Sequence, residues 1–117
     1  MINLLDETIE EMSSNGYSFS DVKFIGSSDG LYSCSVEGFM TLANRTYDNG
    51  FGAPKVAQDL VIVFAEGSSM YRHEYDGAES WRHSLVFSER DKTVPIKSLF
   101  AQCVGWECLS EINGAYK

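Results

Sequence analysis

Leu60-Val-Ile-Val-Phe-Ala65 is an unbroken apolar run, and a run of that length without polar alternation predicts a central strand covered on both faces. Glu66-Gly67 then turns the chain into a segment at 69–75, and Asp76-Gly77 turns it again into one at 79–87. Turn pairs between β-rich segments of this length predict a three-stranded antiparallel meander over about 59–87.

Upstream, Ile2, Leu4, Leu5, Ile9 and Met12 recur at helical spacing, with acids on the other face and Asn15-Gly16 as a stop. This predicts a helix over about 2–14. Val22, Phe24 and Ile25 mark a short strand over 21–26, closed by the turn-rich Gly26-Ser-Ser-Asp-Gly30, and Leu31 to Cys34 reads as a second short strand. Ser35 is placed to cap a helix whose apolar face is Phe39, Leu42 and Ala43. Asp48-Asn-Gly-Phe-Gly52 breaks the chain, and Pro54 suits the first turn of a short helix running to about Gln58. Residues 89–97 are charged and contain Pro95, which predicts a loop or an edge segment. Trp106, Leu109 and Ile112 at spacing three suit a last short helix, with a strand as the alternative. The expected architecture is α+β. One domain over 1–117 carries an antiparallel β-sheet, the meander plus one or two short strands, packed with an N-terminal helix and a second short helical region.

A chain of 117 residues with 44% hydrophobic content is long enough to bury a core without metal or disulfide support. Charge adds more. Seventeen acids against nine bases give −8, and residues 1–50 hold eight acids and two bases, a net −6. Such a surface repels phosphate backbones, so direct binding to DNA or RNA is not expected, whereas a basic partner is attracted. The first 14 residues carry Asp6, Glu7, Glu10 and Glu11 and no basic region, unlike a secretory leader. No segment approaches the roughly 18 apolar residues of a membrane span. Three cysteines, an odd number, fit a reducing cytoplasm better than a disulfide framework.

Candidate chemistry concentrates in Tyr71-Arg-His-Glu-Tyr-Asp-Gly-Ala-Glu-Ser-Trp-Arg-His-Ser84. With Asp76-Gly77 as a two-residue turn, Tyr75 pairs with Ala78 and His73 and His83 point to opposite faces. With a three-residue loop ending in a Gly77 bulge, Glu74 pairs with Ala78 and Tyr71 faces Trp81; the histidines then share a face but lie roughly 13 Å apart along the ladder. A third register brings the histidines together but sets Arg72 opposite Arg82. The bulged register is favoured because it aligns Tyr71 with Trp81 and leaves Leu85 and Phe87 on the same face. No histidine dyad is expected. The polar residues Arg72, Glu74, Glu79 and Arg82 then form a solvated rim, and Tyr71, Arg72, Glu74, Asp76, Glu79 and Trp81 become candidate partner contacts, since Tyr, Trp and Arg anchor interfaces. Glu7, Glu10 and Glu11 on the first helix are the second set of candidate contacts.

Cys103 and Cys108 lack zinc-ligand spacing, Cys34 reads as a small buried residue, and no phosphate-binding glycine pattern lies between a strand and a helix. No catalytic residue, metal or cofactor is expected.

Asp59-Leu-Val-Ile-Val-Phe64, Glu66-Gly-Ser68, Arg72, Glu74-Tyr-Asp-Gly77, Glu79 and Trp81 together resemble small uncharacterised proteins encoded by phages, prophages and other mobile elements. Tyr47-Asp48, Gly50-Phe-Gly52 and Trp106-Glu-Cys-Leu109 extend the pattern over about half the chain. Ser68 to Met70 departs from it, lacking a tryptophan. The resemblance transfers no activity. It implies a context, the cytoplasm of a host bacterium, in which short acidic proteins bind and block host complexes, as anti-CRISPR proteins do. The expected role is a non-enzymatic inhibitor of a host nucleic-acid-binding defence complex, with a CRISPR effector or other nuclease as partner. A small enzyme or ligand-binding domain using His73, Glu74, Glu79 and His83, and an immunity or assembly protein, are the alternatives.

Overall fold

The computed structural model describes residues 1–48, 50, 55–75, 78–84, 94–101 and 108–114. Helix α1 spans Leu4–Ser14. It starts two residues later than its apolar pattern predicts, because the Asn3 side chain accepts the N–H of Asp6 at 3.1 Å and so acts as the N-cap. Asp6 and Glu7 in the first turn complement the helix dipole. Leu4, Thr8 and Met12, four residues apart, form its buried stripe. The expected stop is observed: the Asn15 N–H bonds the Met12 carbonyl, and Gly16 takes φ 84°, a left-handed value that suits glycine. Ahead of the helix, β1 (Ile2–Asn3) pairs antiparallel with β4 (Thr46–Tyr47).

A six-stranded mixed sheet forms the frame. Its members are β2 (Val22–Ser27), β3 (Tyr32–Cys34), β5 (Leu60–Phe64), β6 (Ser69–Tyr75), β7 (Ala78–Ser84) and β8 (Val94–Pro95), in the spatial order β7-β6-β5-β2-β3-β8. The three strands β5, β6 and β7 are the expected meander, all antiparallel. Strand β8 pairs parallel to β3 at the far edge, where Pro95 withholds no ladder donor that a neighbour needs. Every residue of β5 is buried, as its uninterrupted apolar sequence requires. At Gly26 in β2 a Cβ would lie 1.8 Å from the Tyr32 carbonyl oxygen, so the β2–β3 turn closes only around glycine.

Two helices cover one face of the sheet. Leu60, Ile62, Phe64, Met70, Ile25 and Trp81 join Leu4 and Met12 of α1 in a single apolar cluster. Phe39 and Ala43 of α2 (Val36–Ala43) join the same cluster, and Ser35 caps α2 through a 3.0 Å bond from the Gly38 N–H, as its sequence predicts. Helix α3 (Leu109–Asn113) adds Leu109 and Ile112; Trp106, expected on its face, lies outside the described residues. The short helix expected to run to Gln58 does not form over 55–58. Its backbone is taken by another segment: Val56 bridges Phe100, Ala57 N–H donates to the Leu99 carbonyl at 2.8 Å, and Ala101 N–H donates to that of Lys55 at 2.7 Å.

The hairpin register also differs from the favoured expectation. Tyr75 pairs with Ala78, and the ladder continues through Glu74↔Glu79, Arg72↔Trp81 and Tyr71↔Arg82 to Ser69↔Ser84. Only two residues separate the paired ends. Tyr71 is therefore opposite Arg82, not Trp81. Met70 faces inward beside Ile62, and alternation then carries Arg72 inward and Tyr71 outward. The aromatic alignment that favoured the bulge carried less weight than the continuity of this inward row across three strands. Leu85, Phe87 and Asp76 lie outside the described residues.

Candidate functional site

The two-residue register turns a stretch of apparent surface chemistry into interior chemistry. Arg72 and Glu79 are 4% and 3% exposed, and Trp81 is 4% exposed. Glu79 sits at the centre of a polar network. One carboxylate oxygen accepts the Lys55 N–H at 2.6 Å, while the other accepts the Val56 N–H at 3.1 Å and Nη2 of Arg72 at 3.2 Å. The same Arg72 Nη2 donates to the Tyr47 hydroxyl at 2.9 Å, and that hydroxyl donates to Oε1 of Glu7 at 2.5 Å. Arg72 Nη1 faces Glu7 Oε2 at 3.6 Å, an ion pair longer than a hydrogen bond. The guanidinium lies over Trp81, 4.9 Å from its centroid, and Trp81 Nε1 donates to the Thr8 hydroxyl at 3.0 Å. Strand β4, the segment at 55–56, the hairpin and α1 are thus tied through one arginine.

One guanidinium faces two carboxylates, and the imbalance falls on Glu7. Burial raises its carboxyl above the ordinary 4.5, Glu79 adds to the rise, and Arg72 and the Tyr47 hydroxyl oppose it. Burial likewise raises the Tyr47 phenol, partly offset by Arg72. A carboxyl raised in the folded state stabilises it fully below its unfolded value, and that contribution is lost as pH rises through the folded one. The unfolding free energy of the wild type minus that of Glu7→Gln is therefore expected to decline from about pH 4.5 upward and then level off. Urea unfolding of both proteins across a pH series measures this; a difference that rises with pH would contradict it.

Several residues proposed as partner contacts thus have internal roles. Arg72, Glu79 and Trp81 belong to the core network, and Glu7 is turned toward it with 12% side-chain exposure. Glu74 is half-buried, opposite Glu79 in the ladder. Glu10 is exposed, and Glu11 is half-buried with one carboxylate oxygen accepting from Asn15 Nδ2 at 3.0 Å. Tyr71 is 36% exposed on the face of the sheet opposite α1. The histidines do not meet. His73 pairs across from Ser80 on that outer face, whereas His83 packs at the inner end near Tyr17 and Phe64, at 5.7 Å and 6.3 Å between centroids. Glu74 and Glu79 meet across the ladder, but the structure does not bring His73 and His83 to them together, since the two histidines lie on opposite faces.

Two features had no counterpart in the sequence reading. Tyr47 joins the interior network from 25 residues before Arg72. A groove of about 460 Å³ opens on the outer face of the sheet, lined by Ser28, Gln58, Asp59, Val61, Ser69, Tyr71 and Cys108. Its signals in the sequence were Tyr71, a candidate partner contact, and an acid directly before the apolar run; nothing local linked either to Cys108.

Compared with protein-family models, curated proteins and solved structures, the chain matches none. Among the described residues, no three metal-ligating side chains converge and no helix is long and apolar enough to cross a membrane. Burial pushes the Cys34 thiol up to about 12, so it is an un-ionised packing group at neutral pH.

Proposed function

We propose that the chain is a non-enzymatic protein-interaction module, a mobile-element-encoded inhibitor that binds a host nucleic-acid-binding defence complex in the bacterial cytoplasm through an acidic surface. The observation that carries this reading is the division of labour among its polar residues. The buried Arg72 and Glu79 of the hairpin are occupied with one another and with Glu7, while Asp6 and Glu10 stand exposed on successive turns of α1 with Glu11 beside them. With a net charge of −8 overall, that helix face repels nucleic acid and attracts the basic surfaces that bind it. Glu7 drops out as a contact because it faces Arg72, and Asp6 takes its place.

Charge reversal at Asp6, Glu10 and Glu11 together is expected to weaken binding to the partner complex about tenfold at low ionic strength, with the difference shrinking as salt screens the surface. Capture from a bacterium with an active CRISPR or other nuclease defence, combined with an interference assay, tests the reading. A retained complex and lost interference support it; neither a complex nor a loss of interference would remove it.

A further inference from the structure

The outer-face groove has a chemistry distinct from that of α1. Its floor is Val61 of β5, and its wall is Tyr71, the residue paired with Val61 across the β5–β6 ladder. Ser69 lines the same face two residues before Tyr71. At its other end Asp59 is held at a junction of three elements. Its backbone carbonyl accepts the Ser28 N–H at 2.8 Å just beyond β2, and its Oδ1 accepts the Leu109 N–H at 2.7 Å at the start of α3. Gln58 reaches across to Cys108, with Nε2 3.1 Å from the sulfur.

The described lining of the groove carries one carboxylate, Asp59. Burial raises the Asp59 carboxyl, and Asp29 and Glu111 push it in the same direction. The Cys108 thiol is raised too, by burial and then by Asp59, so it adds no charge at neutral pH. Among the described residues that line the groove, none is basic. A fixed carboxylate at one end, an exposed aromatic wall and an aliphatic floor match the three parts of an arginine side chain. The guanidinium can hydrogen-bond a carboxylate in plane and stack on an aromatic ring, and the methylene stem can lie on apolar surface. Lysine, a strongly hydrated point charge, uses the wall less well. The volume falls within the range of about 300–1,000 Å³ typical of ligand sites, room for a peptide segment as well as one side chain. A second copy of this chain is a poor occupant, because each copy carries −8.

We infer that this groove is a docking site for an arginine-bearing segment of a basic partner protein, engaged through Asp59 and Tyr71. The inference rests on the reading of the chain as a binder of a basic partner, and adds a second contact on the opposite side of the sheet from α1.

Amide shifts of the isotopically labelled protein, titrated with a short capped peptide alternating arginine and glycine, test it. Saturable shifts are expected at Asp59, Val61, Tyr71 and Leu109, weaker by severalfold with the lysine counterpart and absent with the glutamate one. Tyr71→Ser is expected to weaken the arginine peptide about fivefold, as is Asp59→Asn, which keeps an oxygen for the Leu109 N–H. Reversal of Asp6, Glu10 and Glu11 should leave groove saturation within about twofold, because those residues contribute only long-range attraction there. Shifts confined to α1, equal affinity for the lysine peptide, or an unaffected Tyr71→Ser variant would each overturn the inference. The two readings fail separately. If capture of the host complex survives Tyr71→Ser and Asp59→Asn but not the α1 reversal, the groove inference falls and the functional reading stands. If the peptide saturates the groove while no complex forms and interference persists, the functional reading falls and the groove stands.

Discussion

Arg72→Met is expected to cost about 3–5 kcal/mol of folding stability, the usual range for breaking a buried ion pair from one side. Methionine fills much of the volume but supplies no donor. The Tyr47 hydroxyl loses its 2.9 Å partner, Glu79 loses one of three donors, and Glu7 loses the cation facing it at 3.6 Å. Two carboxylates are then left in the interior with no counter-charge among the described residues that contact them. The loss should be partly recoverable. Adding Glu7→Gln in the Arg72→Met background is expected to restore more stability than the same change in the wild type, because Glu7 then has burial and Glu79 against it and no arginine in its favour. Denaturant unfolding of the four proteins measures the coupling. Equal effects of Glu7→Gln in both backgrounds would show that Arg72 and Glu7 do not interact.

Glu79→Gln is the second large effect expected, about 3 kcal/mol, although it changes neither shape nor size. Both carboxylate oxygens of Glu79 are used as acceptors: one by the Lys55 N–H, the other by the Val56 N–H and Arg72. An amide has one oxygen. Whichever way the substituted amide is turned, its NH₂ group confronts at least one N–H donor, and Arg72 loses its strongest counter-charge. Hydrogen exchange gives the local readout. Protection at Lys55 and Val56 should fall more than protection at Ile62 in β5. A uniform fall across the sheet would mean that Glu79 contributes global stability without pinning the 55–56 segment.

These two effects explain why the hairpin was hard to read. The turn pairs ahead of 69–75 and 79–87 correctly indicate two strands, which form over Ser69–Tyr75 and Ala78–Ser84 with side chains alternating between faces. Which alternate set faces inward is decided by the pairing register, and a slip of one residue exchanges the faces. Tyr71 with Trp81 is a sensible pair on propensity, yet Arg72 goes inside because Tyr47, Glu7 and Glu79 are there to receive it. Those partners lie 25 residues before, 65 before and 7 after Arg72 in the chain. A charged residue flanked by polar neighbours carries no mark that its partners will come from elsewhere. The same holds for the groove, where Asp59 and Leu109 meet across 50 residues.

Features set by neighbouring residues could be read directly: the buried strand Leu60–Phe64, the Ser35 cap, the Asn15-Gly16 stop, the order of the meander, the α+β class and the acidic bias of the first half. Each depends on backbone geometry within one element, on turns between adjacent elements, or on composition. Tertiary structure alone decided that Arg72, Glu79, Trp81 and Glu7 belong to the interior, that His73 and His83 part to opposite faces, that 55–58 spends its backbone on 99–101 instead of a helix, and that Asp59 and Tyr71 share a groove. The reason is common to all four. The free energy of burying a polar group depends on whether a partner is waiting, and that partner is supplied by the fold.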